Sequence, residues 1–189
     1  IYKLPPAHYM VISNEGKILE KKRYHDVKFK SNNALKTSDW LKLTDDAITD
    51  SVSSQLISDV PFGVFLSGGI DSTLVSLKMA KILDHPLKAF TIGFHEEQYN
   101  ELKYAETAAK KIGVELISEI VTENGIDILP NLINNHYGEP FGDPSAIPTW
   151  FVSRLARKEV TMALTGDGGD EMFGGYHSYN SWLSKSVKN

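Results

Sequence analysis

Gly63-Val64-Phe65-Leu66-Ser67-Gly68-Gly69-Ile70-Asp71-Ser72-Thr73 is the stretch that decides the fold. Val64 to Leu66 is a short apolar run of the kind that forms a buried strand, and the residues after Gly69 suit the opening turn of a helix. Between them, Ser67, Gly68 and Gly69 let the backbone bend tightly and come close to a ligand. At such a junction the backbone N–H groups converge on one concavity, and the helix dipole adds partial positive charge. The expected occupant is an anionic phosphate. Ser67, Ser72 and Thr73 supply hydroxyl donors, and Asp71 can hold a magnesium ion that bridges phosphate oxygens. The run is not a Walker loop, because no Gly-x4-Gly-Lys-Ser/Thr occurs. Gly166-Asp167-Gly168-Gly169 comes nearest to the Rossmann pattern Gly-x-Gly-x-x-Gly and misses its spacing.

Outward from this run the chain alternates strand and helix. Lys88–Phe94, Glu115–Val121 and Val160–Leu164 read as further strands. Ser72–Leu83, Leu102–Ile112, Ile126–His136 and a segment from Pro148 to Lys158 read as helices, with Gly113 as a helix stop. This order implies an α/β fold, a mainly parallel sheet with helices on both faces. Ligands of such sheets bind beyond the carboxyl ends of the strands, where Ser67–Ser72 lies. Upstream, residues 1–30 form a lead-in segment with a hairpin, Tyr9–Ile12 and Lys17–Glu20 around a turn at Asn14 to Gly16. Residues 30–38 are polar and read as a mobile connection. A helix follows over Trp40–Val60, ended by Pro61. The main domain is expected over residues 31–189.

A length of 189 residues allows one domain with a real core, and 41% hydrophobic with 23% charged residues is ordinary for a globular chain. The net charge of −4 argues against non-specific binding to nucleic acid or a membrane surface. No apolar run approaches the ~20 residues of a membrane span. With no cysteine there is no disulfide, thiolate metal site or Cys nucleophile, which fits a cytoplasmic location. The six histidines never fall as His-x-x-x-His, so zinc hydrolase chemistry has no support. The chain opens without Met and closes without an obvious final element, so a fragment of a longer protein is expected.

A second constellation follows the last strand: Thr165-Gly166-Asp167-Gly168-Gly169-Asp170-Glu171-Met172-Phe173-Gly174-Gly175-Tyr176. Asp167, Asp170 and Glu171 crowd a glycine-rich backbone, and carboxylates this close repel unless a cation or proton compensates. Magnesium, already required by a triphosphate, supplies that charge. Glu171 also suits a helix start, where its charge favours the dipole.

Taken together, these blocks resemble the synthetase domain of the glutamine-dependent asparagine synthetases and their relatives, β-lactam synthetases included. Ser67–Ser72 is similar to the pyrophosphate-binding loop of the ATP pyrophosphatases. Lys3-Leu4-Pro5-Pro6-Ala7-His8, Ser58–Gly63, Asp143-Pro144-Ser145-Ala146-Ile147-Pro148 and Thr165–Tyr176 look like further family blocks in the family's order. The resemblance implies an adenine nucleotide alpha-hydrolase-like fold and a ligase that uses ATP and magnesium. A carboxylate, aspartate in the asparagine synthetases, is adenylated with release of pyrophosphate, and ammonia from a glutaminase domain then forms the amide. Carried over by motif, Ser67, Gly69, Asp71 and Ser72 would hold pyrophosphate. Leu66, Ile92 and Gly166 would frame the adenosine, with Gly68 and Thr165 completing the nucleotide set. Asp71 and Asp170 would ligate magnesium. Asp167 stands where the family usually carries a Glu that handles protons of the ammonia, and its carboxylate reaches about 1.5 Å less far. The glutaminase half and a later phosphate-neutralising lysine loop are expected outside this chain, and the fragment alone can be inactive. The same loops would serve amidation of a sugar acid or peptide, or lactam closure. A non-catalytic nucleotide-binding module is the alternative from another class. No nucleic-acid or membrane partner is implied, and homodimer formation is left open.

Overall fold

Gly16 takes a φ of +81°, which lets Ser13–Gly16 close a tight turn, the Gly16 N–H donating to the Ser13 carbonyl at 2.9 Å. The turn joins His8–Ile12 (β1) to Ile18–Arg23 (β2) in the expected antiparallel hairpin. The computed structural model describes residues 2–28, 34–96, 100–122, 124–140 and 142–186. It divides the chain into two units, Ile1–Lys42 with the hairpin and Leu43–Asn189 with everything below. The polar stretch 30–38 lies in part outside the described residues.

The helix expected over Trp40–Val60 runs instead over Thr37–Gln55 (α1). It begins earlier because the Asp39 carboxylate accepts the Lys36 N–H at 2.9 Å, satisfying a donor at the helix start. It ends well before Pro61, where the Ser58 hydroxyl accepts the Val60 N–H at 3.1 Å and draws the chain into a turn.

In the second unit, Phe62–Phe65 (β3), Lys88–Phe94 (β4), Glu115–Val121 (β5) and Met162–Leu164 (β6) form one parallel sheet in the order β5-β4-β3-β6. Ile70–Ile82 (α2) and Leu102–Ile112 (α3) connect the first three strands. Gly113 stops α3 as expected, with a φ of +86° and its N–H on the Ala109 carbonyl. The helix expected over Ile126–His136 is instead three turns of different pitch: a 3-10 turn Gly125–Ile128, one α turn Leu129–Asn131 (α4) and a π segment Leu132–Tyr137. Pro130 has no N–H to give the Ile126 carbonyl, which takes the Leu129 N–H instead and tightens the turn. Ala146–Ala156 (α5) holds Pro148 in its first turn, where a missing N–H costs nothing, and stops before the expected Lys158. Gly169–Phe173 (α6) and His177–Ser186 (α7) follow β6.

Alternation along β4 sets the two layers. Ala89 packs with Val64, Leu66, Met79 of α2 and Ala105, Ala108 and Ala109 of α3. The next residue, Phe90, faces the other way onto Leu155, Ala156 and Val160. Complete burial of the Phe90 ring stabilises the fold by roughly 2–3 kcal/mol. Helices therefore cover both faces of a parallel sheet, the expected α/β class. Strand order runs outward from β3 through β4 to β5, whereas β6 returns to the opposite side of β3. The crevice beyond the carboxyl ends of β3 and β6 is thus the switch point where such sheets bind ligands. No described helix is long and apolar enough to cross a membrane.

Candidate active site

Ser67 and the two glycines after it carry the chain from β3 into α2. Gly68 has a φ of +85°, and a Cβ there would come within 2.6 Å of the Ala105 backbone nitrogen, so the turn is pressed against the start of α3. Gly69 differs: a Cβ on it would meet only the Ser67 hydroxyl, at 3.3 Å. The first carbonyl bond of α2 runs from the Thr73 N–H to the Gly69 oxygen at 3.0 Å. The N–H groups ahead of it have no carbonyl of α2 to bond and open at the helix end. Hydroxyl and amide contacts hold the loop, among them the Ser67 N–H donating to Ser72 Oγ at 3.3 Å. The Gly69 N–H donates to Ser67 Oγ at 3.2 Å, the two serine hydroxyls lie 3.0 Å apart, and Ser72 Oγ donates to the Gly69 carbonyl at 3.2 Å.

The loop after β6 is fitted onto this one. A Cβ on Gly166 would lie 2.7 Å from the Ser72 nitrogen, and one on Gly169 would lie 2.9 Å from the Asp71 Cβ and closer still to its carboxyl group. Glycine at both positions allows the second loop to rest against the first turn of α2. The Thr165 hydroxyl accepts the Asp167 N–H at 3.2 Å and steadies the bend. Gly168, with a φ of +92°, turns the chain into α6, whose Asp170 side chain packs against the Gly175 backbone.

Between the two loops lies a cleft of about 650 Å³. It brings together Ser67, Gly69, Asp71, Ser72, Thr165, Gly166, Asp167 and Asp170, eight of the residues singled out from sequence. Leu66 and Ile92 do not line it. They border a smaller pocket of about 180 Å³ that shares Phe65, Ser67 and Thr149 with the cleft. Gly68 lines neither, because its space is taken by α3. Thr73 is also absent from the cleft wall, and its Oγ1 is buried without a hydrogen-bond partner among the described residues.

Glu171 lies in the first turn of α6, and its Oε1 accepts the Tyr176 hydroxyl at 2.6 Å. That bond holds the Glu171 carboxyl below its ordinary range and pushes the Tyr176 hydroxyl up to about 12. Asp143, in the block before α5, accepts the Ser145 N–H at 2.8 Å, and this bond lowers its carboxyl. Among the described residues no group of three or more His, Cys, Asp or Glu side chains comes together as a metal cage. Asp71 and Asp170 facing one cleft fit magnesium nonetheless, since that ion commonly takes one or two carboxylates and completes its shell with phosphate oxygens and water.

The sequence reading passed over Thr149, Phe65, Ile70 and Phe173, all on the cleft wall. Ile70 and Phe173 are apolar yet 86% and 63% exposed, an imbalance no periodicity reveals. Thr149 had a usable signal, standing directly after the Asp143–Pro148 block.

The protein-family model described as asparagine synthase matches residues 43–189. An asparagine synthetase (glutamine-hydrolyzing) of Bacillus subtilis is 39% identical over 185 residues, covering 97% of this chain and 29% of that protein. A putative asparagine synthetase (glutamine-hydrolyzing) of Methanocaldococcus jannaschii is 42% identical over 131 residues, covering 69% of this chain and 25% of that one. Among solved structures the chain is similar to an NMN synthetase from Francisella tularensis, with a TM-score of 0.49, 16% identity and coverage of 71% of this chain and 58% of that one. The chain thus spans under a third of the length of these curated relatives, and over that span it belongs to the asparagine synthase family.

Proposed function

We propose that this chain carries the nucleotide site of an ATP-dependent amide-forming ligase. The observation that carries the reading is the convergence of the Ser67–Ser72 and Thr165–Asp170 loops on one cleft at the β3/β6 switch point. The free N–H groups at the start of α2 receive the β- and γ-phosphates, aided by the positive end of the helix dipole. Gly69 leaves room for a phosphate to approach the backbone. An arriving phosphate oxygen accepts a hydrogen bond from the Ser67 hydroxyl, which lies 3.0 Å from the Ser72 hydroxyl. Asp71 and Asp170 would hold magnesium, which supplies positive charge against the triphosphate. The small pocket at Leu66 and Ile92 receives the nucleoside.

The carboxylate acceptor is aspartate, as the names of the relatives suggest. One of its oxygens bonds to the α-phosphorus as the bridge to the β-phosphorus breaks, and pyrophosphate leaves with the electron pair. Positioning and charge stabilisation do most of this work. Ammonia, from glutamine hydrolysis elsewhere in the whole protein, then displaces AMP, and Asp167 accepts the proton it sheds. Calorimetric titration with ATP, with and without magnesium, tests the nucleotide site. Magnesium-dependent binding is expected, and absence of binding in both conditions rejects it.

A further inference from the structure

A third cavity, of about 720 Å³, lies along α5 and β6. It shares Phe65 and Thr149 with the cleft between the loops, and the same two residues border the small pocket at Leu66 and Ile92. Among the described residues no other lines all three spaces. Phe65 ends β3 and is apolar. Thr149 stands in the first turn of α5, with its N–H on the Ser145 carbonyl at 2.9 Å and its side chain exposed. Its hydroxyl makes no hydrogen bond among the described residues. Among the described residues it is the one polar side chain where the three spaces meet.

Resting on the nucleotide reading above, we propose that Thr149 is a substrate-contacting residue whose hydroxyl donates to the α-phosphate. The chemistry of ATP sets the position. If pyrophosphate occupies the cleft and the nucleoside the small pocket, the α-phosphorus must lie where those two spaces join. Among the described residues, Phe65, Ser67 and Thr149 border that junction. The Ser67 side chain belongs to the β3 loop, and in the reading above its hydroxyl serves the phosphates in the cleft. Thr149 reaches the junction from α5, across the sheet's carboxyl edge. The third cavity gives an acceptor carboxylate a route to the same phosphorus that passes through neither nucleotide space. A hydroxyl placed there bonds the α-phosphoryl oxygens, which gain charge during attack.

The test is calorimetry of this chain and its Thr149→Val and Thr149→Ser variants with four probes: ATP, AMP, pyrophosphate and adenosine, all with magnesium. Valine keeps the shape and removes the hydroxyl. Thr149→Val should weaken ATP and AMP by about tenfold, the loss of one hydrogen bond to a charged group. It should leave pyrophosphate and adenosine unchanged, and Thr149→Ser should bind all four like the parent chain. Three results overturn the proposal: unchanged ATP and AMP binding in Thr149→Val, equal losses for all four probes, or a serine variant as weak as the valine one. If the parent chain binds none of the four, the nucleotide reading itself falls, which is a distinct result.

Discussion

The loop after β3 and the loop after β6 are both glycine-rich and face the same cleft, yet their glycines serve different neighbours. In the first, Gly68 gives way to the backbone of α3, while Gly69 has only the Ser67 hydroxyl nearby among the described residues. In the second, Gly166 and Gly169 give way to Ser72 and Asp71 of the first loop. The first loop is therefore anchored from behind and open in front, and the second is fitted onto it. The charges follow the same division: helix N–H groups and hydroxyls gather on the first loop, carboxylates on the second. Asp71 is the exception, and it is the residue that the second loop touches.

The sharpest way to break this contrast is to substitute adjacent glycines. Gly68→Ala forces a left-handed φ on a side chain and drives its Cβ into α3, so a loss on the order of 3 kcal/mol is expected in denaturant unfolding. A stability near that of the parent chain would contradict the anchoring role. Gly69→Val should leave unfolding nearly unchanged yet weaken ATP binding by about a hundredfold (~2.7 kcal/mol), because the space it fills is the ligand's. Equal stability losses in the two variants would erase the distinction between them.

Carboxylate substitutions sharpen the comparison at smaller amplitude. Asp71→Asn and Asp170→Asn should each weaken magnesium-dependent ATP binding by about tenfold (~1.4 kcal/mol), with little change when magnesium is absent. If neither variant shifts the magnesium dependence, these residues do not hold the ion. Asp167→Asn should bind ATP normally and slow amide formation in the whole protein. Full activity there would end its role with the ammonia proton.

The smallest effect lies away from the cleft, where Glu119 of β5 accepts from Lys158 and from Arg154 of α5, each at 3.0 Å. The Lys158 bond, then the Arg154 bond, holds the Glu119 carboxyl below its ordinary 4.5. A carboxyl lowered in the folded state adds stability above its unfolded value, and that contribution fades as pH falls through the lower folded one. Glu119→Gln should therefore cost on the order of 0.5–1 kcal/mol at neutral pH. The difference from the parent chain should vanish in acid, read by unfolding curves across pH 2–7. A difference that persists at the acid end would assign the loss to packing.

Local pattern made much of this legible. The β4 strand, α3 with its Gly113 stop and the β5 strand stand where periodicity and punctuation put them, because each is specified by its own few residues. The segment from Gly125 to Tyr137 was not legible, since its apolar spacing is helical while Pro130 breaks the hydrogen-bond ladder that spacing assumes. The end of α1 was missed for a related reason: the chain leaves the helix after Gln55 and turns at Ser58–Val60 before it reaches Pro61.

Within the site, the residue types and their order along the chain were a matter of sequence alone. Hydroxyls and glycines follow one strand and carboxylates follow another, and the α/β class comes with that alternation. Only the tertiary structure decided that β6 lies beside β3, which brings two loops about a hundred residues apart onto one cleft. It also separated Gly68 from Gly69, identical letters with opposite surroundings, and placed Thr149 where three cavities meet. The physical reason is the same in each case. Backbone conformation is set by neighbours in the chain, whereas the space around a residue is set by whatever the sheet order packs against it.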